Sequence, residues 1–547
     1  MLKRDVHQKI VQAVKETYPG HEGVYFTVEE PASGVDADLA SNVAFALSKL
    51  LKTAPAVIAQ SLAATLKNGM IRSVDVAKNG FLNIKVDDRY LQDSVIGVSA
   101  KGPDFFQKKP AAKSPAVLIE FVSANPTGPL HIGHGRGAAL GDSLARIYRQ
   151  MGRNVQTEYY VNDMGLQMQI LSDSVRLRHE QQGGKEVTFP ENGYQGEYIS
   201  EIAKEMRSKN RDDFSAYPRQ FILDWIKKDL ELFGVSFDHW FPESDLHKVR
   251  KVEAVLETLK EKNALKEKDG ALWFAPKGEA QKEGEEEAEA DKDRVLKRSD
   301  GRYTYFASDI AYHQDKYTRG FRHCIDIWGH DHHGYVPRVQ LSLAALGLPE
   351  DFLTILLYQL VSLKRDGKRI AMSTRSGQFV TLREILDEVG RDACRFFFAM
   401  RSPNSQLDFD VDLAKKKSNE NPVYYVQYVH ARICSIFREG QKRGVAFNPG
   451  AVKQNLPLLI EPAERELAKK VILLDDVLEA CLQIHSPHAL ATYLIDCATL
   501  FHKFYDSCRV LDAEPAVRDA RFALLNATRT VVGLGLSLLG VSAPEQM

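Results

Sequence analysis

The stretch from residue 116 to residue 151 constrains the fold of this chain more than any other. Ala116-Val117-Leu118-Ile119-Glu120-Phe121 is a short, mostly apolar run of the kind that fills a buried strand. Ser123-Ala124-Asn125-Pro126-Thr127-Gly128-Pro129 follows, and its prolines and glycine break regular structure. Leu140, Leu144, Ile147 and Met151 then recur at helical spacing. Buried strand, glycine-containing loop and amphipathic helix together form the opening unit of an open α/β sheet. Similar strand–helix alternation continues to about residue 400.

The flanking regions differ in kind. Residues 1–110 combine an amphipathic opening with the alternating segment Gly80-Phe81-Leu82-Asn83-Ile84-Lys85-Val86, which predicts a small α+β module. Within it, residues 38–51 read as a capped helix with an apolar face. Residues 107–113 read as a linker, and the α/β region spans 115–400. Residues 277–294 are rich in Glu with some Lys and Ala, the composition of a solvated hairpin tip or flexible insertion. Residues 415–547 carry almost only helical signals and predict a helical bundle.

Charge and cysteine usage narrow the function classes. Net charge is −1, so contact with nucleic acid must come from local basic patches. No apolar run approaches the ~20 residues that span a bilayer. Met1-Leu2-Lys3-Arg4-Asp5 leads into a polar helical pattern without an apolar signal core, so a cytoplasmic location is expected. Cys324, Cys394, Cys434, Cys481, Cys497 and Cys508 form no C-x-x-C pair, which predicts reduced, mostly buried thiols and neither a disulfide framework nor a structural metal.

The chemistry concentrates where the loop meets the helix. His131-Ile132-Gly133-His134 places two imidazoles on one face of a helix start, where free N–H groups and the dipole favour anions. Gly133 and Gly135 allow close approach to the backbone. Donors placed there in advance stabilise charge building on a phosphate. The run from Glu120 through Ala139 closely resembles the HIGH region of bacterial arginyl-tRNA synthetases. That resemblance implies a Rossmann-type class I catalytic domain, an N-terminal module touching the tRNA elbow and an all-α anticodon-binding bundle.

The same resemblance assigns expected roles. His131 and His134 would act on the phosphates, and His131, Gly133, His134, Gly329, Asp331, Met372, Ser373 and Arg375 would contact ATP. Arg369-Ile370-Ala371-Met372-Ser373-Thr374-Arg375-Ser376-Gly377 matches the KMSKS loop, but Ala371 and Thr374 stand where lysines are usual. Lys364, Arg365, Lys368, Arg369 and Arg375 are nearby candidate cations. Tyr305 and Asp309, one helical turn apart, would hold the arginine guanidinium, a planar cation that needs carboxylate acceptors. Glu120, Ser123, Asn125, His134 and His330 would contact the rest of arginine. Val161-Asn162-Asp163-Met164-Gly165-Leu166-Gln167 resembles a family segment near the site and carries no assigned role. Ile327-Trp328-Gly329-His330-Asp331-His332-His333-Gly334 invites a metal on composition alone, but its position in the family favours contact with adenosine and amino acid.

For tRNA, the resemblance points to Asn83 in the N-terminal module and to Tyr424, Tyr428, Ala431 and Met547 in the bundle. The expected substrates are L-arginine, ATP with Mg2+, and tRNA(Arg), acted on by a monomer.

Overall fold

The computed structural model describes the chain except for residues 33, 67–68, 111–114, 277–293, 371–379, 446 and 448–451. At the centre, five strands lie in the spatial order Leu353–Tyr358, His323–Gly329, Val117–Phe121, Val155–Val161 and His239–Pro242. Every neighbouring pair among them is parallel. The chain moves outward from Val117–Phe121 to one edge, then returns to lay His323–Gly329 on the opposite side. Such a reversal opens a crevice at the carboxyl ends of the two adjoining strands. Helices cover both faces, as a parallel sheet requires. Ile119 and Phe121 join a core that includes Ala138 and Ile147 of the helix Ile132–Gln150. Leu118 and Tyr160 join a second core with Phe306 and Ile310 of the helix Tyr305–Thr318.

Strand register creates an unusual demand on the second face. Asp326, Glu120 and Glu158 stand side by side on three adjacent strands, with relative exposures of 0%, 5% and 0%. Buried carboxylates need partners. The helix Tyr305–Thr318 and the residue after it provide them. Lys316 Nζ donates to Glu120 Oε2 at 2.6 Å and to both Asp326 oxygens at 2.8 Å. Arg319 donates to both Glu158 oxygens, at 2.6 and 2.8 Å, and Tyr312 Oη adds a bond at 2.7 Å. Nε2 of His313 lies 3.0 Å from Asp326 Oδ2. This network pins the helix to the sheet in one register.

The N-terminal module is α+β as expected. Its antiparallel sheet runs Val28–Glu29, Leu39–Ser41, Leu82–Val86, Ile71–Val76. Leu82, Ile84 and Val86 are buried, matching the alternation in the sequence. The helix expected over residues 38–51 is shorter, spanning only Val43–Leu51. Leu39–Ser41 is instead a strand paired with residues 82–84. The reason is long-range: the Asp38 carboxylate accepts the Val86 N–H at 2.8 Å and pairs with Arg465 at 2.7 Å. Those bonds place residues 39–41 in the sheet, and Asn42 becomes the N-cap.

The C-terminal bundle comprises Pro422–Lys442, Pro462–Ile472, Leu474–Gln483, His488–Ser507 and Pro515–Leu538, with shorter helical turns between. All six cysteines are buried and unpaired. Among the described residues, no helix is long and apolar enough to cross a membrane. The acidic stretch 277–294 lies outside the described residues apart from Arg294, although the strands beside it, Ala271–Phe274 and Val295–Lys297, pair antiparallel.

Bundle and sheet meet at Arg395, which is fully buried. Its Nε donates to Leu539 O at 2.7 Å and its Nη1 to Phe233 O at 3.3 Å, while Nη2 pairs with Asp142 of the helix Ile132–Gln150. Gly540 is required here: its φ is +68°, and a Cβ would sit 2.2 Å from Arg395 Cζ. Arg395→Met leaves Asp142 with only its Arg146 partner. We expect it to cost about 3 kcal/mol, read as a lowered urea denaturation midpoint, with Gly540→Ala shifting it in the same direction.

Candidate active site

The helix Ile132–Gln150 begins in the crevice, and its cap is built from imidazoles. His131 is the N-cap residue; its Nδ1 accepts the N–H groups of Gly133 at 3.1 Å and His134 at 3.3 Å. In return, the N–H of His131 donates to His134 Nδ1 at 3.2 Å. The two side chains thus reproduce a reciprocal capping box. A ring nitrogen that accepts from an amide carries no proton, so each neutral ring holds its proton on Nε2. The rings stack with centroids 3.6 Å apart and planes 17° apart. Burial lowers both pKa values, and the neighbouring His131 lowers His134 further, so both rings are neutral at pH 7. A Cβ at Gly133 would meet His131 Cε1 at 2.9 Å, and one at Gly135 would meet Leu382 Cδ1 at 2.7 Å. These two glycines therefore serve the internal fit of the helix start.

Backbone pairing ties residues 380–382, which follow the second motif, to the first. Leu382 N–H donates to Leu130 O at 2.7 Å, Ile132 N–H donates to Val380 O at 3.3 Å, and His131 forms a bridge with Thr381. Buried Arg136, one turn into the helix, donates to the carbonyls of Gln359, Ser402 and Ser405 at 2.7–2.9 Å. Residues 380–382, which follow the segment 371–379, are thus tied to the start of the histidine helix. Ala371, Met372, Ser373, Thr374 and Arg375 themselves lie outside the described residues. Of the candidate cations, Lys364 and Arg369 pair with Asp408 at 3.2 and 3.0 Å, Arg365 pairs with Glu388, and Lys368 is exposed.

Gly329 ends the strand His323–Gly329, and His330 and Asp331 open the turn His330–Tyr335. Asp331 acts on His131 electrostatically, raising its pKa against the effect of burial. His330 and His333 stack at 5.1 Å, and His332 Nε2 lies 3.6 Å from Asp331. Among the described residues, no three His, Cys, Asp or Glu side chains converge on one point as metal ligands.

Carboxylates gather among the expected arginine residues: Glu243 and Glu120 both act on Asp309 electrostatically. Tyr305, the first residue of its helix, is 47% exposed. Asp309, one turn on, is half-buried, and Tyr335 Oη donates to its Oδ2 at 2.5 Å. Burial pushes the Asp309 carboxyl up to about 6, with the Tyr335 bond opposing. Ser123 Oγ donates to Glu120 Oε1 at 2.8 Å and accepts the Tyr160 N–H at 3.1 Å. Burial holds the Glu120 carboxyl above its ordinary range despite Lys316. Val122 and Ser123 have φ of +70° and +41°, a left-handed pair costing of order 1–3 kcal/mol per residue. Asn125 Nδ2 donates to Gln167 Oε1 at 2.7 Å.

The sequence did not single out four further residues here. Gly165 packs so closely that a Cβ would fall 2.7 Å from Tyr305 Oη. Asp163 accepts the Ser244 N–H at 2.8 Å. Glu243 is buried, and its charge raises the Asp309 pKa further. Tyr335 is the partner of Asp309. Gly165 and Asp163 lie in the segment noted for its resemblance, which was the available signal. Glu243 and Tyr335 look like surface residues until the fold folds them inward.

The expected RNA-facing residues lie apart from this crevice. Asn83 is half-buried on its strand, between Ala40 and Asp75. Tyr424 and Tyr428 are half-buried on the helix Pro422–Lys442, Tyr428 stacking on His502 at 5.9 Å. Ala431 is 6% exposed, and Met547 is exposed.

Comparison with known proteins matches three family models along the chain. Residues 4–86 match the arginyl tRNA synthetase N terminal domain, residues 101–405 the catalytic domain of class I (R) tRNA synthetases, and residues 426–547 the DALR anticodon binding domain. An arginine–tRNA ligase of Citrifermentans bemidjiense is 45% identical over 95% of this chain and 94% of its own length. One from Syntrophotalea carbinolica is 44% identical over the full length of both. The solved arginyl-tRNA synthetase of Thermus thermophilus shares the fold with a TM-score of 0.78 at 24% identity, covering all of both chains. With the three models in series and near-full-length relatives above 40% identity, this chain belongs to the class I arginyl-tRNA synthetases.

Proposed function

We propose that this chain activates L-arginine with Mg-ATP to arginyl-adenylate and then transfers it to the terminal ribose of tRNA(Arg), with the crevice residues divided as follows. What supports this division is the topology of the switch point: the helix capped by the two imidazoles leaves the strand Val117–Phe121, and the helix carrying Tyr305 and Asp309 leads into its parallel neighbour His323–Gly329. Asp309 and Tyr305 hold the guanidinium; Glu243 and Asp163 add negative charge. Glu120, Ser123 and Asn125 orient the amino-acid end, with His134 and His330 beside it. The arginine carboxylate oxygen attacks the α-phosphorus, and the bond to pyrophosphate breaks.

His131 and His134 act as hydrogen-bond donors, not as proton-transfer catalysts. Their Nε2–H groups face charge that grows on the phosphate oxygens, and neutral donors fixed by a backbone cap need no reorganisation as it grows. Gly133, Gly329 and Asp331 border the ATP side. Met372, Ser373 and Arg375 complete it from the signature loop. In the second step the ribose hydroxyl attacks the carbonyl of the mixed anhydride and AMP leaves. Asn83 meets the tRNA elbow, and Tyr424, Tyr428 and Met547 meet the anticodon end, with Ala431 backing that helix. The same reading makes the protein a cytoplasmic monomer.

ATP–pyrophosphate exchange tests the reading. Exchange that requires arginine and tRNA together supports it; no exchange with tRNA still bound identifies a tRNA-binding relative without catalysis. Replacing His134 with Ala removes one donor and should lower kcat by about 10²–10³, with a smaller rise in the arginine KM because the ring also borders the amino-acid end. The Asp309 carboxyl, raised to about 6 by burial, sets a pH dependence. Below that pH it is protonated in the free protein and offers no charge to the cation. Arginine KM should therefore rise as pH falls through about 6 and flatten above it. In Asp309→Asn the KM should be high and insensitive to pH over the same range.

A further inference from the structure

Tyr160 stands next to last in the strand Val155–Val161 and is 8% exposed. Its ring is held against Tyr312, with centroids 4.4 Å apart, and against Phe241, at 6.2 Å. Its backbone N–H donates to Ser123 Oγ, which in turn donates to Glu120. Both ring and backbone are thus fixed in place. The hydroxyl, however, has no hydrogen-bond partner among the described residues. Neighbouring buried tyrosines behave differently: Tyr159 Oη donates to Ala124 O at 2.8 Å and Tyr312 Oη to Glu158 Oε1 at 2.7 Å.

A buried, unpaired hydroxyl is costly, and phenylalanine would fill the same space without it. The surroundings indicate what the hydroxyl is for. Burial, and after it the charges of Glu243, Asp309, Glu120 and Asp163, keep the phenol protonated. Tyr160 lies two residues beyond Glu158 toward the carboxyl end of the sheet, and the helix Tyr305–Thr318, whose Tyr312 meets both residues, passes over it. The enclosed orphan therefore lies beneath the turn that carries Asp309, next to the site proposed for the guanidinium. A guanidinium carries five N–H donors and no acceptor. One carboxylate at Asp309 cannot satisfy all of them, and a hydroxyl oxygen has lone pairs to accept another.

We propose that Tyr160 is a specificity-determining residue of the arginine pocket, its hydroxyl oxygen accepting a guanidinium N–H of bound arginine. The inference rests on reading Asp309 and Tyr305 as the guanidinium site. It explains why the fold keeps an unpaired hydroxyl: substrate completes the bond. A ligand whose cation cannot reach it leaves a buried acceptor unpaired, which is an effective basis for rejection.

The test compares unmodified protein with Tyr160→Phe in arginine-dependent ATP–pyrophosphate exchange with tRNA present, alongside thermal melting without substrates. Arginine KM should rise about tenfold, the loss of one bond to a charged group. We expect kcat and the ATP KM to stay unchanged and the melting temperature to hold or rise, because an unpaired group has been removed. Tyr312→Phe provides the contrast in stability: it breaks the bond to Glu158, so it should melt lower. An unchanged arginine KM in Tyr160→Phe overturns the inference while the functional reading stands. So does a lowered melting temperature with kcat and both KM values shifting together, the mark of a structural role. Unmodified protein that gives no exchange sinks the functional reading and this inference with it.

Discussion

Lys316 is the residue on which the geometry of the crevice depends. It neutralises two of the three carboxylates that the parallel register forces side by side, and its Nζ also lies 4.4 Å from the centre of the Tyr312 ring. Burial alone would drive the lysine pKa down, yet Asp326 and Glu120 outweigh it and hold the ammonium charged. Burial likewise pushes the Asp326 carboxyl up, and Lys316 with His313 draws it below its ordinary range. A methylene shift of the helix would break these bonds together. The helix carrying Lys316 also carries Tyr305 and Asp309, so the substrate-facing turn inherits its position from charges buried two turns away.

A second fixed frame holds the phosphate side. Nδ1 of each histidine is committed to the helix cap, which leaves the tautomer no choice. The same helix start pairs through its backbone with residues 380–382, and Arg136 collects carbonyls from residues 359, 402 and 405. The histidines, residues 380–382 that follow the signature loop, and the segments that supply those carbonyls are thus one mechanical unit. Arg395 extends that unit to the C-terminal bundle through Asp142 and the carbonyl of Leu539.

Features set by local sequence were legible in advance. The strand at 117–121, the loop and the histidine helix follow from short-range pattern, and so does the helical character of the C-terminal region; the helix at Tyr305 came from the family resemblance. Features set by register or by distant partners were not. Asp38 reads as a helix cap because nothing nearby reveals Arg465, more than 400 residues away. Glu158, Asp326 and Lys316 look like ordinary charges, since only pairing of the strands places them in a row. Glu243 is turned inward at the start of the short helix Glu243–Lys248, just after an edge strand, and its neighbours in sequence give no sign of it. The imidazole cap shows a similar limit: the spacing of His131 and His134 put them on one face, but which nitrogen each ring offers emerged only from the hydrogen bonds.

The left-handed pair Val122–Ser123 also bears on how this protein can change over time. Ser123 bridges Glu120 and the Tyr160 backbone only because the chain doubles back at once after the strand. Glycine at position 122 would relax that turn and widen the range of shapes the loop visits, exchanging conformational economy for ease of folding. An added residue would do the same and swing the serine off its two partners. Loop length at this point is therefore tied to the Ser123 bonds: a side chain that tolerates a positive φ preserves them, and an insertion does not.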